Sequence, residues 1–302
     1  MNLKRFFQLA ALTAFVGMGT TQLPAMQASL LPALQLLDSS TADLSLPADS
    51  LPPEALPTSD NPFGGDSRGV IGRDDRATVR LRAYPWSAVG RVEGVKAHNG
   101  RSYHCTGTLI APRLVLTNAH CVVDPGTNQL AESITFAPNM IDGLVASPAD
   151  RAQVLEVVVG TDFTDRAVPP HPNDWAVMVL NKPLGDRFGT IALKPIETDL
   201  LAAEDFQDQM IMVGYSGDFP EEFPGRTPSA HLGCSITEEQ DDVIYHACDT
   251  FGGSSGGPIL TQIDGEYYIV ALNSAAQTNA ETGEGIINYG VKISRIIEQA
   301  SE

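Results

Sequence analysis

The most informative stretch of this chain is a serine enclosed by glycines, Gly252-Gly253-Ser254-Ser255-Gly256-Gly257-Pro258. Glycines on both sides allow backbone conformations that other residues avoid, and they let a ligand approach the chain closely. A tight turn here can aim the backbone N–H groups of Gly253 and Ser255 at one point, which is the arrangement that binds a developing oxyanion. Taken alone, the stretch also fits a flexible loop that carries no chemistry.

A histidine at the end of an apolar run is the second signal. His120 lies in Thr117-Asn118-Ala119-His120-Cys121, directly after the run Leu114–Leu116. A histidine that ends a buried strand beside a cysteine is held rigidly, as a general base has to be. The alternative is an ordinary histidine of the core or of the surface.

An acid at the start of another apolar strand is the third signal. Asp174 directly precedes Trp175–Leu180. A carboxylate in such a place can be desolvated and still hydrogen-bond a histidine, which fixes the imidazole tautomer and stabilises the imidazolium. The alternatives are a strand-capping role for Asp174 and a rival acid, Asp162 or Asp165, in a polar loop without an apolar strand behind it.

The order of these residues excludes two other hydrolase folds. Gly253–Gly257 also satisfies G-x-S-x-G, but in α/β-hydrolases the catalytic histidine follows the serine. All six histidines, at positions 98, 104, 120, 171, 231 and 246, precede Ser255. A subtilisin-type order requires the acid before His120, where Asp74 and Asp75 lack a suitable strand.

The composition favours an all-β fold and argues against two classes of partner. Of the 302 residues 43% are hydrophobic, and 27 Gly with 21 Pro indicate many turns. The net charge of −18 argues against binding to nucleic acid or to an anionic membrane surface. Four cysteines without a C-x-x-C spacing indicate two disulfides in an exported protein rather than a metal or redox site.

The first 68 residues are expected to precede the folded domain. Lys4 and Arg5 come before the apolar run Phe6–Gly19, so residues 1–28 are predicted to be a signal peptide. Residues 29–68 repeat Leu-Pro units, which disfavour helix, and are predicted to be a largely unstructured propeptide or linker. No later run is long enough for a membrane helix. The mature protein is therefore expected to be soluble, without a membrane anchor, and secreted or periplasmic.

After residue 68 the sequence consists mainly of short β-type runs, separated by turn signals such as Asn99-Gly100. Only Val291–Gln299 reads as a helix, with Ile293, Ile296 and Ile297 on one face. The predicted strands are Ala77–Arg82, Thr106–Ile110, Leu114–Thr117, Val154–Val159, Trp175–Leu180, Gln209–Gly214, Val243–His246, Tyr267–Leu272 and Ile286–Val291.

Together, the three signals resemble the trypsin-like, chymotrypsin-fold serine endopeptidases, in which His120, Asp174 and Ser255 would follow the family order. Val70–Arg76 and Gly214–Asp218 resemble the bacterial branch of glutamyl endopeptidases, the V8-like enzymes. The resemblance implies a protease domain over residues 69–302. It would consist of two packed six-stranded antiparallel β-barrels, an N-barrel over about 69–190 and a C-barrel over about 191–290, with a C-terminal helix at 291–300.

By the same resemblance, Ser255 is the nucleophile and forms an acyl-enzyme, His120 is the general base and then the acid, and Asp174 orients His120. The N–H groups of Gly253 and Ser255 form the oxyanion hole. The implied disulfides are Cys105–Cys121 and Cys234–Cys248. Animal trypsins carry Asp immediately before the nucleophile, where this chain has Ser254, so their zymogen switch cannot operate here in that form. Processing is still expected near Arg68, which makes the chain a zymogen.

The resemblance also places a substrate pocket for the residue before the cleaved bond, lined by Asp249, Thr250, Asn273, Ser274 and Gly290. Asp249 there suggests cleavage after Arg or Lys. Glutamyl-specific relatives can carry the same Asp-Thr pair but generally place His where this chain has Asn273. Cleavage after Glu, after small or apolar residues, and a catalytically inactive binding protein of the same fold remain alternatives. A monomer acting on proteins or peptides is expected, with no cofactor and no metal.

Overall fold

A computed structural model describes residues 69–124, 127–160 and 170–301, with the side chain of residue 301 left out. The predicted signal peptide (1–28), the predicted propeptide (29–68) and the two rival acids Asp162 and Asp165 lie outside the described residues. Within the described parts the chain forms seventeen strands and three α-helices. The strands are β1 Arg76–Thr78, β2 Val89–Val95, β3 Ser102–Ala111, β4 Leu114–Thr117, β5 Val123–Asp124, β6 Gln129–Leu130, β7 Ser133–Pro138, β8 Ala152–Val159, β9 Ala176–Leu180, β10 Ala192–Leu193, β11 Met210–Gly214, β12 Ser229–Cys234, β13 Ile236–Gln240, β14 Val243–His246, β15 Pro258–Ile263, β16 Glu266–Thr278 and β17 Gly285–Lys292. The helices are α1 Gly185–Phe188, α2 Thr198–Leu201 and α3 Ile293–Ser301.

The first half of the domain is a closed antiparallel barrel with the strand order β2-β3-β4-β9-β8-β7. Its interior is filled by alternate side chains such as Val92, Leu109 and Phe136, none of which is exposed. Gly90 on β2 has to be glycine, because a Cβ there would lie 2.4 Å from Cζ of Phe136. Closure holds β4 and β9, the strands next to His120 and Asp174, side by side in the sheet.

The second half is a nine-stranded sheet in the order β1-β12-β11-β15-β16-β17-β14-β13, with β10 parallel to β16. The all-β prediction with a short C-terminal helix is therefore confirmed, and one six-stranded barrel is closed. The strand order of the second half runs from one edge to another, so a second six-stranded barrel stays a prediction. β1 belongs to this sheet although it comes first in the chain, because it pairs with β12.

One apolar core joins the two halves. Phe136 and Trp175 of the first half share a buried cluster with Leu260 of the second half and with Ile296 of α3. The helix begins at Ile293 rather than at the predicted residue 291. The reason is that Val291 still pairs with Val243 and Leu272 as part of β17.

Both disulfides are formed, Cys105–Cys121 in the first half and Cys234–Cys248 in the second. The first one joins β3 to the turn that carries His120. Among the described residues, the helices are all too short or too polar to cross a membrane.

Candidate active site

His120 lies on a short 3-10 turn, Ala119–Cys121, directly after the fully buried strand β4. Its backbone N–H donates to Oδ1 of Asp174 at 3.0 Å, and its ring Nδ1 lies 2.7 Å from Oδ2 of the same carboxylate. Because a carboxylate only accepts, Nδ1 carries the proton and Nε2 is left as the basic nitrogen. The side-chain amide of Asn118 donates to the backbone carbonyl of Asp174 at 2.6 Å and fixes the turn against β9.

Asp174 is 4% exposed and lies two residues before the start of β9 at Ala176. The hydroxyl of Ser274 donates to its Oδ2 at 2.6 Å, so each carboxylate oxygen has at least one donor. A buried carboxylate that receives three hydrogen bonds is held in one orientation, and it keeps its charge. This is the environment that can hold a histidine in one tautomer.

The two groups shift each other's pKa in opposite directions. Burial alone would lower the pKa of His120, but the charge and the hydrogen bond of Asp174 outweigh it, and the pKa of His120 is raised. Burial alone would raise the pKa of Asp174, but His120 and the hydrogen bond from Ser274 outweigh it, and that pKa is lowered. The arrangement therefore favours a carboxylate beside an imidazolium, which is the state that forms when His120 takes up a proton.

Ser255 is connected to His120 and Asp174 through contacts with Ser274 and Cys121. Its carbonyl oxygen accepts from the backbone N–H of Thr106 at 2.8 Å and lies 3.8 Å from Sγ of Cys121, the residue after His120. Its hydroxyl donates to the carbonyl oxygen of Ser274 at 3.3 Å. Ser274 thus contacts both Ser255 and Asp174. Within the described residues the Ser255 hydroxyl makes no hydrogen bond to His120.

The loop before Ser255 leaves two N–H groups free. The N–H of Gly217 donates to the carbonyl oxygen of Gly252 at 2.8 Å, which points the N–H of the next residue, Gly253, the other way. Among the residues that the structure describes, the N–H groups of Gly253 and Ser255 have no acceptor. Gly253 has φ +102°, and a Cβ there would lie 2.2 Å from Nε2 of His104, so only glycine fits.

Asp249 does not present a free carboxylate. It is 2% exposed, and its two oxygens accept from the backbone N–H groups of Ile71 and Asp75, both at 2.9 Å. Its own N–H donates to Nδ1 of His231 at 2.8 Å. Burial raises the pKa of Asp249. The residue that the sequence assigned to the pocket thus anchors the segment at the start of the domain.

The other pocket residues lie around that segment. The N–H of Thr250 donates to the carbonyl oxygen of Gly69 at 3.0 Å. Asn273 pairs with Gly290 across β16 and β17, and its amide donates to the carbonyl oxygen of Ser254 at 3.1 Å. The hydroxyl of Ser274 donates to Oδ2 of Asp174. These residues share one region with the buried loop that ends in Ser255.

Two buried polar residues of this region are absent from the sequence-based list. Asn288 donates to the carbonyl oxygens of Gly69 and Cys248, at 2.8 and 2.7 Å. His246 is unexposed and lies beside Gly290, and among the described residues neither ring nitrogen has a partner with full hydrogen-bond geometry, although Tyr289 and Asn273 are near enough to affect its pKa. The signal that could have found them is their position on strands that flank Cys248, because each is polar in an otherwise apolar run.

In the part of the chain that the structure describes, two groups of side chains have metal-ligand atoms within 4.8 Å of one another. In the first, His120 lies between Cys105 and Cys121, whose sulfurs are bonded to each other. In the second, Asp75, His231 and Asp249, the ligand atoms of His231 and Asp249 already accept backbone hydrogen bonds. Both groups of side chains thus have other partners among the described residues.

Comparison with known proteins agrees with this geometry. The sequence model of the trypsin family matches residues 75–297. The glutamyl endopeptidase of Bacillus licheniformis is 25% identical over 76% of this chain and 66% of its own length, and serine protease 23 of Bos taurus is 27% identical over 67% and 52%. The chain therefore spans between half and two thirds of the length of these curated relatives.

A solved structure of a Glu endopeptidase in complex with MPD has a TM-score of 0.60 at 26% identity and covers 77% of this chain and all of that one. The matched residues contain the strands of both halves together with His120, Asp174 and Ser255. Since the family model covers well over half of the sequence, the chain belongs to the trypsin family of serine proteases.

Proposed function

We propose that this chain is a secreted serine endopeptidase that cleaves peptide bonds through an acyl-enzyme on Ser255. The observation that carries the proposal is the 2.7 Å contact between Nδ1 of His120 and Asp174, with Ser255 joined to the same carboxylate through Ser274. In this arrangement His120 keeps a basic Nε2 on the side away from Asp174. A serine hydroxyl next to such a nitrogen is activated for attack on a carbonyl carbon.

The reaction follows from these positions. The Ser255 hydroxyl turns from Ser274 towards His120, which takes its proton as the oxygen attacks the peptide carbonyl. The oxyanion that forms lies against the free N–H groups of Gly253 and Ser255. His120 then donates its proton to the leaving amine, and water releases the acyl group with His120 as base again. Asp174 stabilises the imidazolium throughout, and its lowered pKa keeps it charged.

Fluorophosphonate labelling tests the nucleophile. The protein without its first 68 residues should be labelled at a single site, and Ser255→Ala should abolish both the label and peptide hydrolysis, a loss on the order of 10⁶-fold in turnover. Ser133→Ala, which changes an exposed serine on β7, should leave both unchanged. A folded protein that takes no label and cleaves no peptide would leave the binding-protein alternative standing.

Export and processing near Arg68 form the second part of the proposal. The contacts of Gly69, Ile71 and Asp75 support it, since the segment that follows Arg68 is bonded to Thr250, Asn288 and Asp249. N-terminal sequencing of the protein recovered from the medium or periplasm should give a start near Gly69. A start at Ser29 or earlier would refute the propeptide.

The preference for the residue before the cleaved bond has two candidates. Cleavage after Arg or Lys depends on Asp249, whose oxygens are already bonded to Ile71 and Asp75. Cleavage after Glu is favoured by the two glutamyl endopeptidases among the similar proteins. Processing after Arg68 favours cleavage after Glu as well. It would leave the new ammonium of Gly69 beside Thr250 and Asn288, and this positive charge would attract the carboxylate of a Glu side chain.

A panel of chromogenic peptides that differ only at this residue separates the two candidates. We expect the Glu peptide to be cleaved fastest by the processed protein, and Asp249→Ser to change the ranking little. If the Arg peptide is fastest and Asp249→Ser abolishes that preference, the carboxylate acts as the counter-ion of a basic side chain.

A further inference from the structure

Thr106 on β3 connects the first barrel to the loop that carries Ser255. It is completely buried, and each of its polar groups has a partner in the second half or on β4. Its N–H donates to the carbonyl oxygen of Ser255 at 2.8 Å, and its hydroxyl donates to the carbonyl oxygen of Gly253 at 2.9 Å. The same hydroxyl accepts from the N–H of Tyr215 at 2.9 Å, and its carbonyl accepts from the Thr117 hydroxyl at 2.7 Å.

The two carbonyl groups held by Thr106 belong to the residues that supply the proposed oxyanion hole. With the carbonyl of Gly252 bonded to Gly217 and that of Gly253 bonded to Thr106, the peptide planes on both sides of the Gly253 Cα are fixed. A glycine at φ +102° has no side chain to limit its rotation, so these bonds have to hold it. The hydroxyl of Thr106 is the side-chain group that contributes to this restraint.

A second residue of β3 supports the same arrangement. His104, two positions before Thr106 and on the same face of the strand, lies with Nε2 2.9 Å from the carbonyl oxygen of Tyr215. The N–H of Tyr215 is bonded to Thr106, so both backbone groups of this residue are held by β3. The barrel thus holds Tyr215 and Gly253 at a fixed separation.

We propose that Thr106 is a positioning residue that holds the N–H of Gly253 in the direction required for oxyanion binding. The inference rests on the proposed endopeptidase function. It requires no contact between Thr106 and the substrate, because the hydroxyl acts through the backbone of Gly253. Preorganised donors of this kind lower the barrier to the chemical step more than they strengthen substrate binding.

The test compares Thr106→Val, which keeps the shape and removes the hydroxyl, with Thr106→Ser, which keeps the hydroxyl. The matched control is Thr108→Val on the same strand, since Thr108 is equally buried and its hydroxyl has no partner. The readouts are kcat and KM on the best peptide of the panel, and the affinity for the corresponding peptide boronic acid, which forms a tetrahedral adduct. Thermal unfolding reports whether each variant is folded.

We expect Thr106→Val to lower kcat by about 10- to 100-fold, less than the loss of a whole oxyanion donor, with KM changed less than about threefold. Boronic acid affinity should fall in parallel, Thr106→Ser should recover most of kcat, and Thr108→Val should match the wild type. If Thr106→Val does not fold, Thr106→Ala takes its place in the comparison with Thr106→Ser. Unchanged kcat in folded Thr106→Val or Thr106→Ala would overturn this inference while leaving the endopeptidase standing. A wild type that cleaves no peptide would instead overturn the proposed function.

Discussion

At the residue scale, the two carboxylate oxygens of Asp174 have different hydrogen-bond donors and different roles in the site. Oδ1 accepts from the backbone of His120, and Oδ2 accepts from the ring of His120 and from Ser274. The first contact fixes where the histidine lies, and the second fixes its tautomer. The sequence could predict His120, Asp174 and Ser255, because each lies in a short motif beside an apolar strand.

The same reasoning did not single out His246 and Asn288, although each is a polar residue in an otherwise apolar run, and it could not find the role of Thr106. The partner of the Thr106 hydroxyl, Gly253, lies 147 positions away along the chain. A threonine within an apolar strand has the same sequence signature whether its hydroxyl is bonded, as in Thr106, or unpartnered, as in Thr108. For Asp249 the sequence predicted the position but not the contacts. A carboxylate six residues before Ser255 does not indicate that the N–H groups of Ile71 and Asp75 will donate to it.

The pH dependence of turnover follows from the raised pKa of His120. Only the neutral imidazole can take the proton of Ser255, so kcat/KM should rise with pH through one ionisation whose midpoint lies above the usual 6.5 of histidine. Asp174→Asn removes the charge that raises this pKa. It should move the midpoint down and lower kcat by about 10⁴-fold. A wild-type midpoint at or below the usual value would contradict this assignment.

The pH dependence of stability should report His246. Burial lowers its pKa from 6.5 to about 4, so between these two values the unfolded chain binds a proton that the folded chain does not. The free energy of unfolding should therefore fall as the pH decreases through this window, by up to about 3 kcal/mol from this group. Urea unfolding of His246→Gln at several pH values should lack this part of the decrease. His98→Gln, at a more exposed histidine, should retain it, and equal pH profiles for His246→Gln and the wild type would refute the assignment.

At the scale of elements, several strands that the sequence predicted have uninterrupted apolar runs, such as β4 and β9. The sequence did not predict β2, Val89–Val95, because glycines at positions 90 and 94 take the place of apolar side chains. The fold explains them, since the rings of Phe136 and Tyr103 occupy the space beside Gly90 and Gly94. The apolar atoms in this space come from neighbouring strands, so the sequence of β2 alone does not show that this space is filled.

The attachment of β1 depends on an arginine that is almost fully buried. Arg76 bonds the carboxylates of Asp74 and Asp218, each at 2.8 Å, and its guanidinium lies 5.0 Å from the ring of Phe219. Arg76→Met should lower the free energy of unfolding by about 3 kcal/mol, because two carboxylates lose a buried partner while the more exposed Asp218 is partly solvated. Urea unfolding measures the change. Arg73→Met, at an exposed pair with Asp75, should change stability by less than about 0.5 kcal/mol, and equal losses in the two variants would refute the argument.

At the scale of the whole molecule, the proposed catalytic residues come from both halves, so the two halves have to keep a fixed relative position. His120 and Asp174 lie next to strands β4 and β9 of the closed barrel, whereas Ser255 lies in the loop before β15 and Ser274 on β16 of the nine-stranded sheet. The shared apolar core holds the two halves together, and the hydrogen bonds that Thr106 and Ser274 make between the halves fix their relative orientation. The family resemblance could predict this division, but no motif in the sequence indicates which side chains hold the two halves in place.

The C-terminal helix should help to hold the two halves in their relative position through Gln299. Its amide donates to Oδ1 of Asn173, the residue before Asp174, and its oxygen accepts from the indole of the buried Trp175, both at 2.9 Å. Gln299→Ala leaves that indole N–H without its partner, which should cost about 1–3 kcal/mol. For a folded domain of this size the melting temperature should then fall by roughly 2–4 °C per kcal/mol.

Thermal unfolding and kcat measured on the same samples check this prediction. Glu298→Ala, one residue earlier and exposed, should leave both unchanged, since Glu298 makes only a 3.8 Å contact with Arg295. Because Asn173 also accepts from Arg295 at 2.9 Å, its backbone should stay in place in Gln299→Ala. We therefore expect kcat to fall less than threefold while stability decreases. A large loss of kcat at unchanged stability would mean that the helix acts on Asp174 directly rather than through the packing of the two halves.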